Sequence, residues 1–521
     1  MSDERNHNWK YLLPFSKRNR CLFLGEPEEN TVKSLSDLFE SFVVAGTKTD
    51  NVNDTNLEKM QLEESSADVV ILCLDDTALR EDQKNSVLGE VFRVLSPGGF
   101  LCIRGEKRRG EDIGFLRKKL AGSDYENVKT FAHLPGHGQL RIIIPLTFKP
   151  VLLEALRLYH DVTMKQRLLR SVASILILSG LFERVITDFS LIAQKPSHDG
   201  SQKEKDELKE FLKNSVKTDN IEVALRSASA GKGSKAILQV MEPAEGRTLA
   251  FVKVADNEHR GKFIEHEYNT LMKLGNYGFV HGVYPEVIDY KQFDGLYSLV
   301  LAAPVFLYKQ PSTRIDESIL DWLIELNSRT SSRKLLPESG FYKTLVENAE
   351  TLLSKPPFSK KAWVLEMIED VTRSLEGRLI PFGMAHRDFV AWNVRTCNDG
   401  KLYVMDWEWA RDDHIPFMDF FHYVLHGKLN IGKGGIFDIA ERLFFRKSYL
   451  TKYIYDYCKA LQLEPSDSFQ FFLLYLIDWV LFEMQNSPEG TLLSEDHWAL
   501  LRKIFHEKQH YRENWPLHGC G

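Results

Sequence analysis

The sequence predicts two folded parts of different class, an α/β doubly wound domain followed by a two-lobed α+β domain. Three observations carry this. Over residues 20–104 short apolar runs alternate with helical stretches, the pattern of strands joined by crossover helices. Residues 195–210, KPSHDGSQKEKDELKE, combine Pro, Gly, Ser and many charges with no apolar period, and read as a linker. Beyond it a strand-rich stretch gives way after residue 318 to a mostly helical one, a small sheet lobe before a larger helical lobe. With 521 residues the chain is long enough for at least two domains. The expected boundaries are 1–195 for the α/β domain, 196–214 for the linker and 215–521 for the two-lobed domain, with lobes at about 215–304 and 305–521.

In order, residues 20–25 (RCLFLG) read as a strand and 32–42 as a helix. Residues 42–45 and 68–74 (DVVILCL) read as buried strands. Residues 86–95 are helical, stopped by Ser96-Pro97-Gly98-Gly99, and 100–104 form the next strand. The most apolar stretch, 171–182, falls short of the roughly 20 residues that span a bilayer. It reads as a buried core helix; because Lys165, Arg167 and Arg170 precede it, a helix lying on a membrane surface is the alternative. Past the linker, 221–242 and 248–254 read as strands around a Gly-containing turn, 262–274 as a helix and 297–301 as a further strand. Helical patterning dominates beyond residue 318, and no repeat of solenoid-like period appears.

Composition narrows the function class. The chain is 43% hydrophobic and 27% charged with a net charge of −6, so nothing global points to nucleic acid. The basic runs Lys107-Arg108-Arg109 and Arg117-Lys118-Lys119 alternate with Glu106, Glu111 and Asp112 and read as solvated surface. None of the six cysteines forms a C-x-x-C pair, and Cys73 and Cys102 sit inside apolar runs, which favours a reducing, cytoplasmic setting without a zinc site. Residues 1–10 are too polar for a signal peptide.

The chemistry concentrates at His386-Arg387-Asp388-Phe389-Val390-Ala391-Trp392-Asn393, followed by Val404-Met405-Asp406-Trp407-Glu408. Phosphoryl transfer asks a protein for a positioned acceptor hydroxyl, a cradle for the phosphates and metal ions that neutralise charge. One carboxylate can orient the hydroxyl and accept its proton. An amide and a second carboxylate can hold Mg²⁺, a hard cation that prefers oxygen. Asp388 and Asn393 share one short loop, and the apolar run 401–405 returns the chain to Asp406 through Asn398-Asp399-Gly400, a hairpin-turn signal.

These residues resemble the aminoglycoside phosphotransferase and choline kinase superfamily, whose loop reads H-x-D-x-x-x-x-N with a later D-x-[DE]. The resemblance implies a protein-kinase-like fold for the second part and an enzyme that transfers the γ-phosphate of ATP, with Mg²⁺, to an alcohol group of a small molecule or glycan. It implies Asp388 as catalytic base, Asn393 and Asp406 as metal ligands, Glu408 in the second acidic position and His386 bracing the loop. Upstream, Lys253 in FVKVA looks like the phosphate-binding lysine and Glu267 its helix-borne partner, with Glu265 the competing choice. Ser229, Gly231 and Gly233 look like the loop over the phosphates, and residues 299–304 like the connector that binds adenine. Asp419 is read as structural, bracing the helix that follows. Trp392, Trp407 and Trp409 are read as packing rather than a substrate cage. Asp478 and Glu483, in an otherwise apolar helix, either contact the acceptor or face solvent. A protein kinase is disfavoured, because neither D-F-G nor A-P-E occurs in order.

In the first part, VLGEVFRVLSPGG (87–99) resembles the post-sheet segment of class I S-adenosylmethionine-dependent methyltransferases. That resemblance implies an S-adenosylmethionine site, yet the positions that should build it depart from the pattern. The first strand leads into Gly25-Glu26-Pro27-Glu28 with a single glycine, and the second ends at Val44-Ala45-Gly46-Thr47 without an acid for the ribose. The expectation is a methyltransferase-like accessory domain with a degenerate cofactor site. The alternatives for the whole chain are a bifunctional methyltransferase-kinase of glycan modification and a non-catalytic nucleotide-binding scaffold. Expected partners are a small-molecule or glycan substrate, with no nucleic acid, no transmembrane segment and peripheral membrane contact as the open alternative.

Overall fold

A computed structural model describes residues 4–16, 19–25, 27–45, 62–73, 81–106, 113–134, 142–157, 164–197, 206–227, 235–293, 295–304, 314–354, 363–429, 442–444, 448–486 and 501–503. The chain forms two compact units, Met1–Glu265 with Val287–Ala303, and His266–Glu286 with Pro304–Gly521. Among the described residues no helix is long and apolar enough to cross a membrane.

The first unit opens with β1 (Arg20–Leu24), α1 (Glu29–Ser36), β2 (Ser41–Ala45), β3 (Ala67–Cys73), α2 (Glu81–Val94) and β4 (Leu95–Glu106). The order β2-β1-β3-β4 is parallel throughout, so the chain reverses its direction of winding after β2. Such a switch point is where open α/β sheets bind ligands. Strand β3 is buried along almost its whole length, as its unbroken apolar run requires of a central parallel strand. Three sequence expectations change here. The first helix spans 29–36 rather than 32–42. The strand at 42–45 lies at the sheet edge with Val43 52% and Val44 40% exposed, because only β1 pairs with it. Ser96-Pro97-Gly98-Gly99 is absorbed into β4: pairing with β3 jumps from Ala67↔Leu95 to Val69↔Phe100. Gly99 permits this bulge, since a Cβ there would meet the Ser96 carbonyl oxygen at 2.8 Å and that of Asp68 at 3.0 Å.

The unit continues with α3 (Ile113–Ala121), β5 (Glu126–Leu134), β6 (Ile142–Pro145), α4 (Lys149–Arg157), α5 (Met164–Ser179), α6 (Phe182–Val185) and β7 (Asp188–Gln194). Strand β7 inserts antiparallel between β4 and β5. Helix α5 is not the buried core helix expected: Leu168, Val172, Ile175 and Leu178 face solvent, while Ile177 turns inward. The linker's charged end is also folded. Asp206 accepts a hydrogen bond from the Lys209 amide at 3.1 Å and caps α7 (Glu207–Val216), which buries Leu208, Phe211 and Leu212. Strands β8 (Glu222–Ser227), β9 (Ala236–Glu242) and β10 (Arg247–Ala255) follow, and α8 (Glu258–Leu274) carries the chain into the second unit. After β11 (Gly282–Val283), the strands β12 (Val287–Gln292) and β13 (Tyr297–Ala302) return to the first unit.

Antiparallel pairing of β6 with β8 (Ile142↔Arg226, Ile143↔Leu225) fuses all these first-unit strands into one sheet. Its order is β12-β13-β10-β9-β8-β6-β5-β7-β4-β3-β1-β2. One apolar cluster runs beneath both halves, from Phe23 and Ile71 to Leu238, Val252 and Val300. The polar N-terminus contributes to it: Trp9, Tyr11, Leu13 and Phe15 are buried there, and Lys10 pairs with Asp256 just after β10.

The second unit holds α9 (Glu317–Thr330), β14 (Ser332–Lys334), α10 (Gly340–Leu353), α11 (Trp363–Ser374), β15 (Ile380–Ala385), β16 (Val394–Thr396), β17 (Leu402–Val404), β18 (Arg411–His414), α12 (Met418–Leu429), α13 (Tyr449–Leu461) and α14 (Ser468–Asn486). Its strands form two small sheets, β11-β17-β16 and β14-β15-β18. Helix α14 is buried on nearly all sides from Phe471 to Leu481, consistent with its almost continuous apolar sequence.

Candidate active site

The Asp388 loop leaves the buried strand β15 and runs directly into the hairpin β16–β17, so two short strands fix both ends of the motif. The expected turn at Asn398-Asp399-Gly400 is present, with Gly400 at φ +86° and its amide donating to the Cys397 carbonyl at 3.1 Å. Asn393 lies at the start of the hairpin and Met405 at its end, joined by a bond from the Met405 amide to the Asn393 carbonyl at 3.0 Å.

His386 ties the two loops together. It is fully buried, its Nδ1 accepts from the Asp388 amide at 3.2 Å, and its Nε2 lies 3.0 Å from the Met405 carbonyl. That pattern requires the tautomer protonated at Nε2, and burial lowers the ring's pKa in favour of the neutral form. The side chain sits against buried Trp407, with ring centroids 4.5 Å apart.

Asp388 remains reachable, with its side chain 34% exposed. Asn393 is buried and donates its Nδ2 to the Asp388 carboxylate at 2.8 Å and to its carbonyl at 3.0 Å. With its NH₂ used this way, the group's remaining donor to a cation is its oxygen. The other carboxylate oxygen of Asp388 lies 3.8 Å from His422 Nε2 on α12.

Glu267, Asp406 and Glu408 form the acidic centre. Their ligand oxygens all lie within 4.8 Å of one another, a spacing that one oxygen-coordinated divalent cation can bridge. Asp406 adopts a left-handed backbone (φ 75°, ψ 57°), which ends the hairpin and opens the turn carrying Glu408. Glu267 on α8 is fully buried and accepts from the Trp407 amide at 3.3 Å. An all-oxygen donor set of three carboxylates fits Mg²⁺ better than a softer metal.

The loop is braced by residues whose pairing the sequence does not display. Asp419 supports the Asp388 loop rather than its own helix, accepting from the His386 amide at 2.7 Å and the Arg387 amide at 2.8 Å. Burial pushes this carboxyl up to about 6 even though the two amides favour its ionised form. Arg387 has φ +65°, and its guanidinium donates to Asp478 on α14 at 2.7 Å and lies over the Phe482 ring. Asp478 therefore does not face solvent but meets Arg387. Burial would raise it, but the Arg387 charge and nearby His414 prevail and hold it at about 2. A carboxylate in an apolar helix signals that some cation must meet it; that the cation is Arg387, 91 residues earlier, emerges only from the fold. Glu483, one turn on, is raised by burial and by the Asp388 charge. Of the three tryptophans, Trp407 is buried packing, Trp409 stacks edge-on with Phe482, and Trp392 is 37% exposed.

Two of the remaining candidates belong to the first unit. Lys253 is buried on β10 and Glu265 lies on α8, both in the first unit. Residues 299–302 form the second part of β13, and Ala303 and Pro304 lead out of that unit. Ser229, Gly231 and Gly233 fall outside the described residues.

No family model and no curated protein matches the chain. Its structure is similar to solved phosphotransferases over somewhat more than half its length and to methyltransferases over about a third. The aminoglycoside phosphotransferase APH(2″)-Ib, ADP-bound, is 17% identical, covers 56% of this chain and 95% of its own, and has a TM-score of 0.35. Choline kinase LicA from Streptococcus pneumoniae is 12% identical over 59% of this chain and 99% of its own, with a TM-score of 0.37. A SAM-dependent methyltransferase from Archaeoglobus fulgidus is 12% identical over 37% of this chain and 92% of its own, with a TM-score of 0.24.

Proposed function

We propose that the second unit transfers a phosphoryl group from Mg-ATP to a hydroxyl of a small-molecule or glycan acceptor. The observation that carries this is the His386 bridge, which locks a reachable carboxylate, Asp388, to the hairpin end that presents Asp406 and Glu408. Asp388 orients the acceptor hydroxyl and takes its proton, while Asn393 fixes the rotamer of that carboxylate. Asp406, Glu408 and Glu267, with the Asn393 oxygen, would hold Mg²⁺, which supplies neutralisation of charge on the phosphates. Positioning and electrostatics suffice for such a reaction, and this arrangement offers both.

The test is ADP release across sugars, amino alcohols, aminoglycosides and glycans, together with calorimetry of ATP binding at saturating Mg²⁺. Asp388→Ala should lower acceptor-dependent turnover by about 10²- to 10⁴-fold and leave ATP affinity nearly unchanged. Asp406→Asn should weaken the metal-dependent part of ATP binding. Absence of Mg-dependent ATP binding by the intact chain, or near-normal turnover by Asp388→Ala, refutes the proposal.

A further inference from the structure

Helix α5 presents a face that the first unit leaves uncovered. Leu168 is 67% exposed, Leu169 59%, Val172 45%, Ile175 65% and Leu178 62%. The spacing 168, 172, 175, 178 follows one helical stripe, and the opposite side, through Ile177, enters the core. The surface continues past the helix through Leu181 and Val185, exposed at 41% and 54%. Lys149, at the start of α4, donates to the Leu178 carbonyl at 3.1 Å, and Phe148, its neighbour in the chain, is 40% exposed. So many large aliphatic side chains on one side of a folded unit mark a binding surface.

Charge identifies the occupant. Helix α5 (MKQRLLRSVASILILS) contains Lys165, Arg167 and Arg170 and no acidic residue. Across residues 164–185 the sole acid is Glu183, which is occupied by Arg117 of α3 at 3.1 Å. A two-fold contact with a second copy would bring two such basic, acid-free segments together. An acidic phospholipid surface instead attracts the basic residues and receives the aliphatic ones, the division of labour seen in interfacial helices.

We infer that α5, with the turn leading into α6, docks the first unit on the surface of an anionic lipid bilayer. The helix lies in the plane of the interface, with Leu168, Val172, Ile175 and Leu178 entering the acyl boundary.

Sedimentation of the full-length chain with phosphatidylcholine vesicles containing phosphatidylserine, and with phosphatidylcholine alone, tests this. The chain should pellet with the acidic vesicles, less so at high salt, and poorly with neutral ones. Ile175→Asp should reduce the apparent vesicle affinity at least about tenfold, as loss of one inserted aliphatic side chain requires, and Leu168→Asp should act alike. Both residues are largely exposed, so the thermal melts should match wild type. The inference is overturned if the wild-type chain ignores acidic vesicles or if both variants bind them as wild type does. It is equally overturned if light scattering finds a dimer that both substitutions dissociate while vesicles have no effect, which would assign the face to a second copy.

Discussion

Replacing Asp478 with Asn removes the charge that faces the Arg387 guanidinium at 2.7 Å, where the two side chains are only 8% and 10% exposed. Breaking a buried pair by altering one partner costs about 3–5 kcal/mol, because the surviving charge stays desolvated. Asp478→Asn should therefore lower the melting temperature at neutral pH far more than a surface substitution does. The sign with pH follows from the depressed carboxyl. With a folded pKa of about 2 against an ordinary value near 3.9, the stabilisation is complete above about pH 4 and is lost as pH falls through 2. The stability gap between wild type and Asp478→Asn should accordingly close between about pH 4 and 2; urea titrations at several pH values would show it, and a gap independent of pH would remove the ion pair as its cause. The same pair holds Arg387 in its left-handed backbone, so the strain next to Asp388 is supported from α14.

At the level of elements, the β16–β17 hairpin does most to assemble the site. Its turn depends on Gly400, whose φ of +86° lies where a side chain is strained, although nothing stands within 4 Å of where a Cβ would be. Gly400→Ala therefore carries a backbone cost and no clash, about 1–2 kcal/mol. The expected outcome is a modest loss in the melt together with weaker Mg-dependent ATP binding, since the hairpin sets Asn393 against Asp406. A variant as stable as wild type would show that the turn relaxes without strain. Helix α8 contributes in a different way, by delivering the buried Glu267 to Asp406 and Glu408.

For the whole molecule, the continuous sheet alters what a domain boundary means. A chain ended after residue 197 would keep β6, the apolar segment IIIP, but lose its partner β8 and leave that edge open. It would also lose α7 and its share of the common apolar cluster. Such a fragment should aggregate or melt well below the full chain; a monomeric fragment of unchanged melting temperature would show that the first 197 residues are self-sufficient. S-adenosylmethionine should bind the full chain weakly or not at all. The segment after β1, GEPEEN (25–30), holds a single glycine, and β2 ends at Ala45 with no acid in the strand. Calorimetry showing micromolar or tighter binding would overturn that expectation.

Elements whose signals are local are legible in the chain before it folds. The runs that became β1, β3, β10 and β13 are short and strongly apolar, so burial could satisfy them only as inner strands. The Asn-Asp-Gly turn and the spacing from Asp388 to Asn393 to Asp406 lie within one stretch of chain, where loop geometry leaves few alternatives. Tertiary structure decided whatever depends on partners distant in sequence. It joined β6 to β8, paired Arg387 with Asp478, turned Asp419 toward the loop before it and brought Glu267 to the acidic centre. It also left α5 with its aliphatic stripe outward, although the same stretch read alone fits a buried helix equally well. The physical reason is common to all of these: periodicity records that a face must be buried or a charge met, and only the folded chain specifies what meets it.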